Sequence, residues 1–136
     1  MRHRFLTAVL VAFLIAGCTQ SAPSDLITSF GEFPSPSGNF VLKVEKKEVS
    51  LVVGTILGSA GTKVFSETIG SDAMVWCFYW SQDGSLWAYS SDTGYLKQIA
   101  PNGRSSAKVR VVSKGEKLPP AMFDSLSESE RAIYTK

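Results

Sequence analysis

The sequence predicts a mainly β protein: a single small antiparallel β-sheet domain, a meander or a sandwich of about seven strands, with a short C-terminal helical segment. Short runs in which apolar and polar residues alternate recur between residues 40 and 112. Glycine, asparagine and aspartate separate these runs at intervals typical of hairpin turns. Helical spacing of apolar residues begins only at about residue 119.

The first predicted strands show the alternation clearly. In the run that begins at Phe40, the side chains of Phe40, Leu42 and Val44 share one face, as in a strand with one buried side. Residues 49–57 and 63–68 are the next two β-rich runs, and a glycine-rich turn separates them. The first half of the domain therefore contains three predicted strands.

Residues 74–80 form the most hydrophobic stretch of the β-rich region. Both of its faces are apolar, which predicts a central strand. A turn in which Gly84 supplies a positive φ leads into a returning strand at 86–90, and the hairpin is expected to bring Trp80 close to Trp87. The remaining predicted strands are 95–99 and 108–112.

The C-terminal residues change to a helical pattern. Pro120 can begin a helical turn, and the spacing of Met122 and Leu126 places both on one face. Ser127 followed by Glu130 matches a capping box and predicts a last short helix. We expect this tail to pack on the sheet.

The N-terminus has the residue order of an export signal. Arg2 and Arg4 precede an apolar run, residues 5–16, which contains no charge. A run of about a dozen residues is too short for a transmembrane helix, which needs roughly 20. The segment is therefore expected to be removed from the mature protein.

The end of this segment resembles the lipobox of bacterial lipoproteins, in which an aliphatic residue and two small residues precede a cysteine. Ile15, Ala16, Gly17 and Cys18 match this pattern position by position, and Leu14 precedes them in the predicted lipobox. The resemblance implies transfer of a diacylglyceryl group to Cys18, which becomes the acylated N-terminus of the mature chain. Two or more acyl chains hold a protein stably on a membrane.

Three regions follow from these patterns. Residues 1–17 are the predicted lipoprotein signal peptide. Residues 18–37, rich in Ser, Pro, Thr and Gly, are the predicted lipidated N-terminus and flexible tether. Residues 38–136 are the predicted β-rich domain, with its helical tail from about residue 119.

Two passages, residues 33–40 and 80–94, resemble the repeat hairpins of β-propellers, in which a Ser-Pro-Asp-Gly-like turn precedes a strand. A propeller needs at least about four blades of four strands. A chain of 136 residues is too short for a complete monomeric propeller. The resemblance implies hairpin chemistry and no inherited function.

Composition narrows the chemistry expected of the mature protein. The only histidine, His3, lies in the signal segment, so no imidazole is left for proton relay or metal binding. Without Arg2 and Arg4, the 14 basic residues fall to 12, equal to the 12 acidic ones. A neutral chain lacks the positive charge that favours nucleic acid, and we expect no cofactor and no metal.

Other polar and reactive residues have simple structural explanations. Cys77 is expected to be a buried thiol rather than a reactive one, because no positive charge is close in sequence. Asp83 and Asp92 occupy successive turns and are expected to bond to nearby amides rather than share a calcium ion. Glu45 and Glu48 lie among lysines, as on a solvated face, and an acid/base carboxylate pair remains an open alternative.

The aromatic residues offer a candidate binding face. Trp87, Tyr89 and Tyr95 follow one another along two predicted strands. Core packing is one interpretation of these residues. The other is an exposed face that binds a protein or a glycan, because Trp and Tyr dominate binding hot spots.

These observations favour a non-enzymatic lipoprotein of the bacterial envelope, held on the membrane by its lipid and acting through a protein partner. An assembly accessory, an inhibitor and an immunity-like factor are the classes considered. The alternatives are a module that binds carbohydrate or peptidoglycan through exposed Trp and Tyr, and a hydrolase that uses carboxylates alone. Thr19, which follows Cys18, is not the Asp that resembles an inner-membrane retention signal, so the outer membrane facing the periplasm is the expected location.

Overall fold

Eight strands form two antiparallel sheets of four strands each in the computed structural model, which describes residues 25–136. The first sheet contains β1 (Gly31–Pro34), β2 (Val41–Lys47), β3 (Leu51–Leu57) and β4 (Lys63–Ser71). The second contains β5 (Trp76–Trp80), β6 (Leu86–Ser90), β7 (Leu96–Asn102) and β8 (Ser106–Val111). In each sheet the strands lie in chain order, so each sheet is a meander. The mainly β prediction is confirmed.

Alternation along each strand determines the face that packs between the sheets. Leu42 pairs with Ile56 and both are fully buried, while the next residue, Lys43, pairs with Thr55 on the opposite face. This follows from the period of two along a strand. The core between the sheets consists of these apolar rows and the facing row of the second sheet, which includes Phe78.

A glycine allows close approach at the centre of this core. Gly54 on β3 faces the Phe78 ring, and a Cβ atom added at Gly54 would lie 2.6 Å from Cζ of Phe78. Any larger residue would therefore push the two sheets apart or displace the ring. The glycine that interrupts this β-rich run in the sequence makes room for the opposite sheet.

The other face of the second sheet packs against the C-terminal segment. Helices α1 (Pro120–Ser125) and α2 (Glu128–Arg131) follow β8, and Met122 and Leu126 are buried against Cys77 and its neighbours. The predicted capping box is present: the Ser127 side chain accepts from the Glu130 amide, and the Glu130 side chain accepts from the Ser127 amide. The domain thus has three layers, with the second sheet in the middle.

This layering corrects one detail of the prediction for residues 74–80. Trp76, Phe78 and Trp80 do pack on one side and Cys77 and Tyr79 on the other. However, β5 is an edge strand and not a central one. Both faces are apolar because the strand lies between the first sheet and the helical layer.

The folded domain also begins earlier than the boundary expected at residue 38. Ile27 pairs with Phe78 through two backbone hydrogen bonds, of 2.8 and 2.9 Å. Strand β1, absent from the predicted set, pairs with β2. Residues from Ile27 onward therefore belong to the domain rather than to a flexible tether.

No helix in the described part of the chain is both long and apolar enough to cross a membrane.

Candidate protein-binding edge

Two of the three aromatic residues predicted for an exposed face are buried. Trp87 is 6% exposed and Tyr89 is 3% exposed, because the helical segment covers that side of the second sheet. The Tyr89 hydroxyl donates to the Glu130 carboxylate of α2. The prediction of an exposed face is wrong for these two residues, and the core-packing interpretation applies to them. Tyr95, in contrast, is 57% exposed.

The expected contact between Trp80 and Trp87 is also absent. Trp80 pairs with Leu86, and Trp87 pairs with Tyr79. Since neighbouring positions alternate between faces, the two indoles lie on opposite sides of the sheet. Trp87 packs toward the helices, whereas Trp80 belongs to the core between the sheets.

The predicted turn role of Asp83 is confirmed, whereas the Asp92 carboxylate bonds to a distant amide instead of one in its own turn. Asp83 accepts from the Ser85 amide at 2.9 Å and from the Ser81 hydroxyl, and these bonds hold the pKa of the Asp83 carboxyl below its usual value, the hydroxyl contributing most. Asp92 accepts from the amide of Ser71 at 3.0 Å. Because Ser71 ends β4, this bond connects the two sheets, which sequence reasoning did not anticipate.

The acidic residues near the second strand lie at the surface. Glu45 forms an ion pair with Lys43 at 2.9 Å, and the hydrogen bond from that lysine lowers the pKa of the Glu45 carboxyl. Glu48 lies in the turn after β2 with a positive φ of 54°. Within residues 25–136, no group of three or more metal-ligating side chains is present.

Cys77 is a buried free thiol, as predicted. Burial raises its pKa to about 11, and a weak contact of 3.8 Å joins its sulfur to the Ser125 hydroxyl. Cys18 and the lipobox residues lie outside the described residues.

The four sheet edges differ in how they are covered. β1 is short and ends at Pro34, and Ile27 pairs with the edge of β5. β4 has two register shifts against β3 and is linked to the second sheet through the ion pair of Glu67 with Lys97. β8 pairs only with β7: β4 of the first sheet approaches β8, but no strand or bridge of the described chain is hydrogen-bonded to its second edge. Native proteins usually cover or interrupt such edges.

The register identifies the backbone groups at this open edge. The amide of Val112 donates to the Leu96 carbonyl at 2.8 Å, and antiparallel ladders alternate between bonded and non-bonded pairs. Val109 and Val111, which oppose Ile99 and Lys97, therefore occupy non-bonded positions. Their N–H and C=O groups point away from β7 and are available to another strand.

Apolar side chains accompany these free backbone groups. Val109 is 41% exposed and Val111 is 52% exposed, although both lie on the face of the second sheet that packs against the first. Tyr95 lies just before β7 on the same face by strand alternation, beside a pocket of about 230 Å³ between β4 and the second sheet. We call Tyr95, Val109 and Val111 the apolar strip. An exposed apolar group beside an open edge is typical of a protein-binding surface.

Positive charge is concentrated around this strand. Residues 96–117 contain six basic side chains and one acidic side chain, Glu116. Arg110 forms an ion pair with Glu116 at 2.7 Å, whereas Lys108 forms none with any described residue. The basic residues are Lys97, Arg104, Lys108, Arg110, Lys114 and Lys117. The balanced total charge conceals a basic region around β8.

Sequence reasoning predicted Tyr95 as a candidate and missed β8 as an interaction element. The alternation of Lys108, Val109, Arg110 and Val111 was a signal of a half-buried strand. Only the topology reveals that no described strand pairs with the outer edge of β8 and that the first sheet leaves the two valines partly uncovered. The excess of basic residues between positions 96 and 117 is a further signal that the sequence itself carries.

Comparisons with family models, with curated proteins and with solved structures each found no match.

Proposed function

We propose that this protein is a membrane-anchored lipoprotein of the bacterial envelope that is not an enzyme and acts through contact with a protein partner. Assembly accessory, inhibitor and immunity-like factor are the roles compatible with such a protein. The apolar strip beside the open edge of β8 carries the proposal, because it combines exposed hydrophobic side chains with unpaired backbone groups.

The lipobox resemblance at Cys18 supports the anchor. Nine residue steps separate Cys18 from Ile27, the first residue paired with the folded domain. An extended chain spans at most about 3.3 to 3.6 Å per residue, so the domain would stand within about 30 Å of the lipid. A partner in the same membrane, or close to its surface, would be within reach. Thr19 supports placement in the outer membrane, facing the periplasm.

Lipidation is tested by comparing the full chain with its Cys18→Ser variant in a bacterial host supplied with labelled palmitate. We expect label and membrane recovery for the parent and neither for the variant. Equal labelling of both proteins would contradict the anchor, since the acyl chains would not depend on the Cys18 thiol.

Protein contact is tested by site-specific photocrosslinking in living cells. A photoreactive residue at Tyr95 is expected to give a discrete protein adduct in the envelope. The same residue at Val49, an exposed turn position of the first sheet, serves as the matched control. Adducts of equal yield at both positions, or none at Tyr95, would contradict a specific partner at the apolar strip.

A further inference from the structure

We propose that the open edge of β8 binds an extended, acidic segment of the partner, which adds to the second sheet as its fifth strand. This inference rests on the proposed function, since it names the chemistry of the partner that contacts the same surface. It concerns the six residues Ser106–Val111 and the side chains on either side of them.

Backbone pairing supplies the first part of the argument. The N–H and C=O groups of Val109 and Val111 point away from β7, so an incoming strand can form ladder bonds with both residues. Addition of a strand to an exposed edge gains affinity from main-chain bonds and specificity from alternate side chains. Of the other three edge strands, β1 is only four residues long, β5 is bridged by Ile27, and β4 is interrupted by two register shifts against β3.

The two faces of β8 specify the side chains of the incoming segment. On one face lie Val109 and Val111, which favour apolar neighbours across the new strand pair. On the opposite face lie Lys108 and Arg110. Arg110 is already paired with Glu116, whereas Lys108 has no ion pair with a described residue and favours an acidic neighbour. The segment should therefore alternate apolar and acidic residues over about six positions.

The surrounding charge strengthens the choice of an acidic segment. Arg104, Lys114 and Lys117 flank the strand, and none of them forms an ion pair with another described residue. A basic edge attracts an acidic partner over several ångströms and raises its association rate.

The same charge disfavours a second copy of this chain. If two β8 strands paired in antiparallel fashion about Val109, Lys108 of each copy would oppose Arg110 of the other. Like charges directly opposite one another destabilise a strand pair. Lysine on an edge strand is also a common device against self-association.

The experiment uses the protein as recovered from cells expressing the full chain, in detergent, and a capped eight-residue peptide in which Val and Glu alternate. Two matched peptides serve as controls: one has Lys in place of Glu, and the other is the Val-Glu peptide with N-methyl groups on alternate amides. We expect binding of the Val-Glu peptide and at least about tenfold weaker binding of both controls.

Amide exchange locates the binding site. The amides of Val109 and Val111 should exchange more slowly with the peptide bound, whereas those of Lys108 and Arg110, already bonded to β7, should change little. Protection confined to another part of the protein would overturn the inference, as would equal affinity for the Val-Glu and Val-Lys peptides.

Charge reversal supplies a matched pair of variants. Lys108→Glu should weaken binding of the Val-Glu peptide by about fivefold, because one attraction is replaced by a repulsion. Lys47→Glu, at an exposed position in the first sheet, should leave the affinity unchanged. Equal effects of the two variants would attribute binding to overall charge and overturn the assignment to β8.

Three other outcomes have definite meanings. A concentration-dependent dimer that protects Val109 and Val111 would assign the edge to a second copy and overturn the acidic-partner inference. Failure of the peptide to bind, together with a specific crosslink at Tyr95, would remove the strand-addition inference and leave the proposed function intact. Binding of the peptide without any crosslink at Tyr95 in cells would support strand addition at β8 and contradict the proposed function.

Discussion

The indole Nε1 of Trp80 donates a hydrogen bond to the backbone oxygen of Phe33 at 3.1 Å. Trp80 ends β5, the first strand of the second sheet, and Phe33 lies in β1 of the first sheet. The buried Trp80 side chain thus connects the second sheet to β1, the short outer strand of the first sheet. The two residues are 47 positions apart in the sequence. The contact helps to explain why a four-residue strand pairs stably at this position.

Trp80→Phe is predicted to cost more stability than Trp87→Phe. Both changes replace a buried indole with a smaller ring. Trp87 Nε1 has no hydrogen-bond partner among residues 25–136, whereas Trp80 loses the bond to Phe33. A typical hydrogen bond contributes about 1 kcal/mol, so the free energy of unfolding should fall by about that much more for Trp80→Phe. Chemical denaturation of both variants measures the difference, and an equal loss would contradict a stabilising role for the bond.

Asp92→Ala is predicted to loosen the junction between the sheets. The variant removes the acceptor for the Ser71 amide, and we expect a loss of about 1 kcal/mol in the free energy of unfolding. Asp124→Ala is the matched control, because its ion pair with Lys136 is exposed, and such pairs contribute little to stability. A larger effect at Asp124 than at Asp92 would refute the assignment.

Cys77 is predicted to resist alkylation in the folded protein. Burial removes the thiol from solvent and raises its pKa to about 11, so little reactive thiolate forms near neutral pH. With iodoacetamide at about pH 8, we expect reaction at least about 100-fold slower in the native state than in denaturant. Mass spectrometry follows the modification of Cys77, and rapid native labelling would show that the site opens readily.

Asp83 is predicted to make stability depend on pH in the acid range. Its pKa is lowered in the folded state, first by the Ser81 hydroxyl and then by the Ser85 amide. The resulting stabilisation is fully present above the unfolded pKa of about 3.9 and is lost as pH falls through the folded value.

The Asp83→Asn variant tests this dependence. It should be less stable than the parent near neutral pH, and the difference should shrink below about pH 4. Denaturant titrations over this range measure it. A difference that stays constant with pH would assign the effect to turn geometry rather than to charge.

Local patterns predicted most of the elements and their faces. The alternation around Leu42 and Val44, the two apolar rows of β5 and the Ser127 capping box all appear in the structure as expected. Each depends on residues within a few positions of one another, where side-chain period and capping chemistry are strong signals. Strand β1 was missed because four residues containing Pro34 carry little β signal.

The candidate surface was less predictable, for a physical reason. Tyr95, Tyr89 and Trp87 have similar local settings, yet only Tyr95 is exposed. The distinction comes from the helical segment, which covers one face of the second sheet from more than 20 residues away in the chain. Solvent exposure depends on such distant contacts, and alternation alone does not encode it.

By itself, the sequence determined a β-rich domain with a helical end, the inward and outward rows of its strands, the buried thiol of Cys77 and a lipobox-like segment at residues 14–18. Only the tertiary structure decided that β5 is an edge strand, that Asp92 connects the sheets and that no other described strand pairs with the outer side of β8. The period of a strand is a local property of the chain. Which elements cover the faces and edges of a strand depends on how distant segments pack. Among the described residues, that packing leaves the outer edge of β8 without a partner strand.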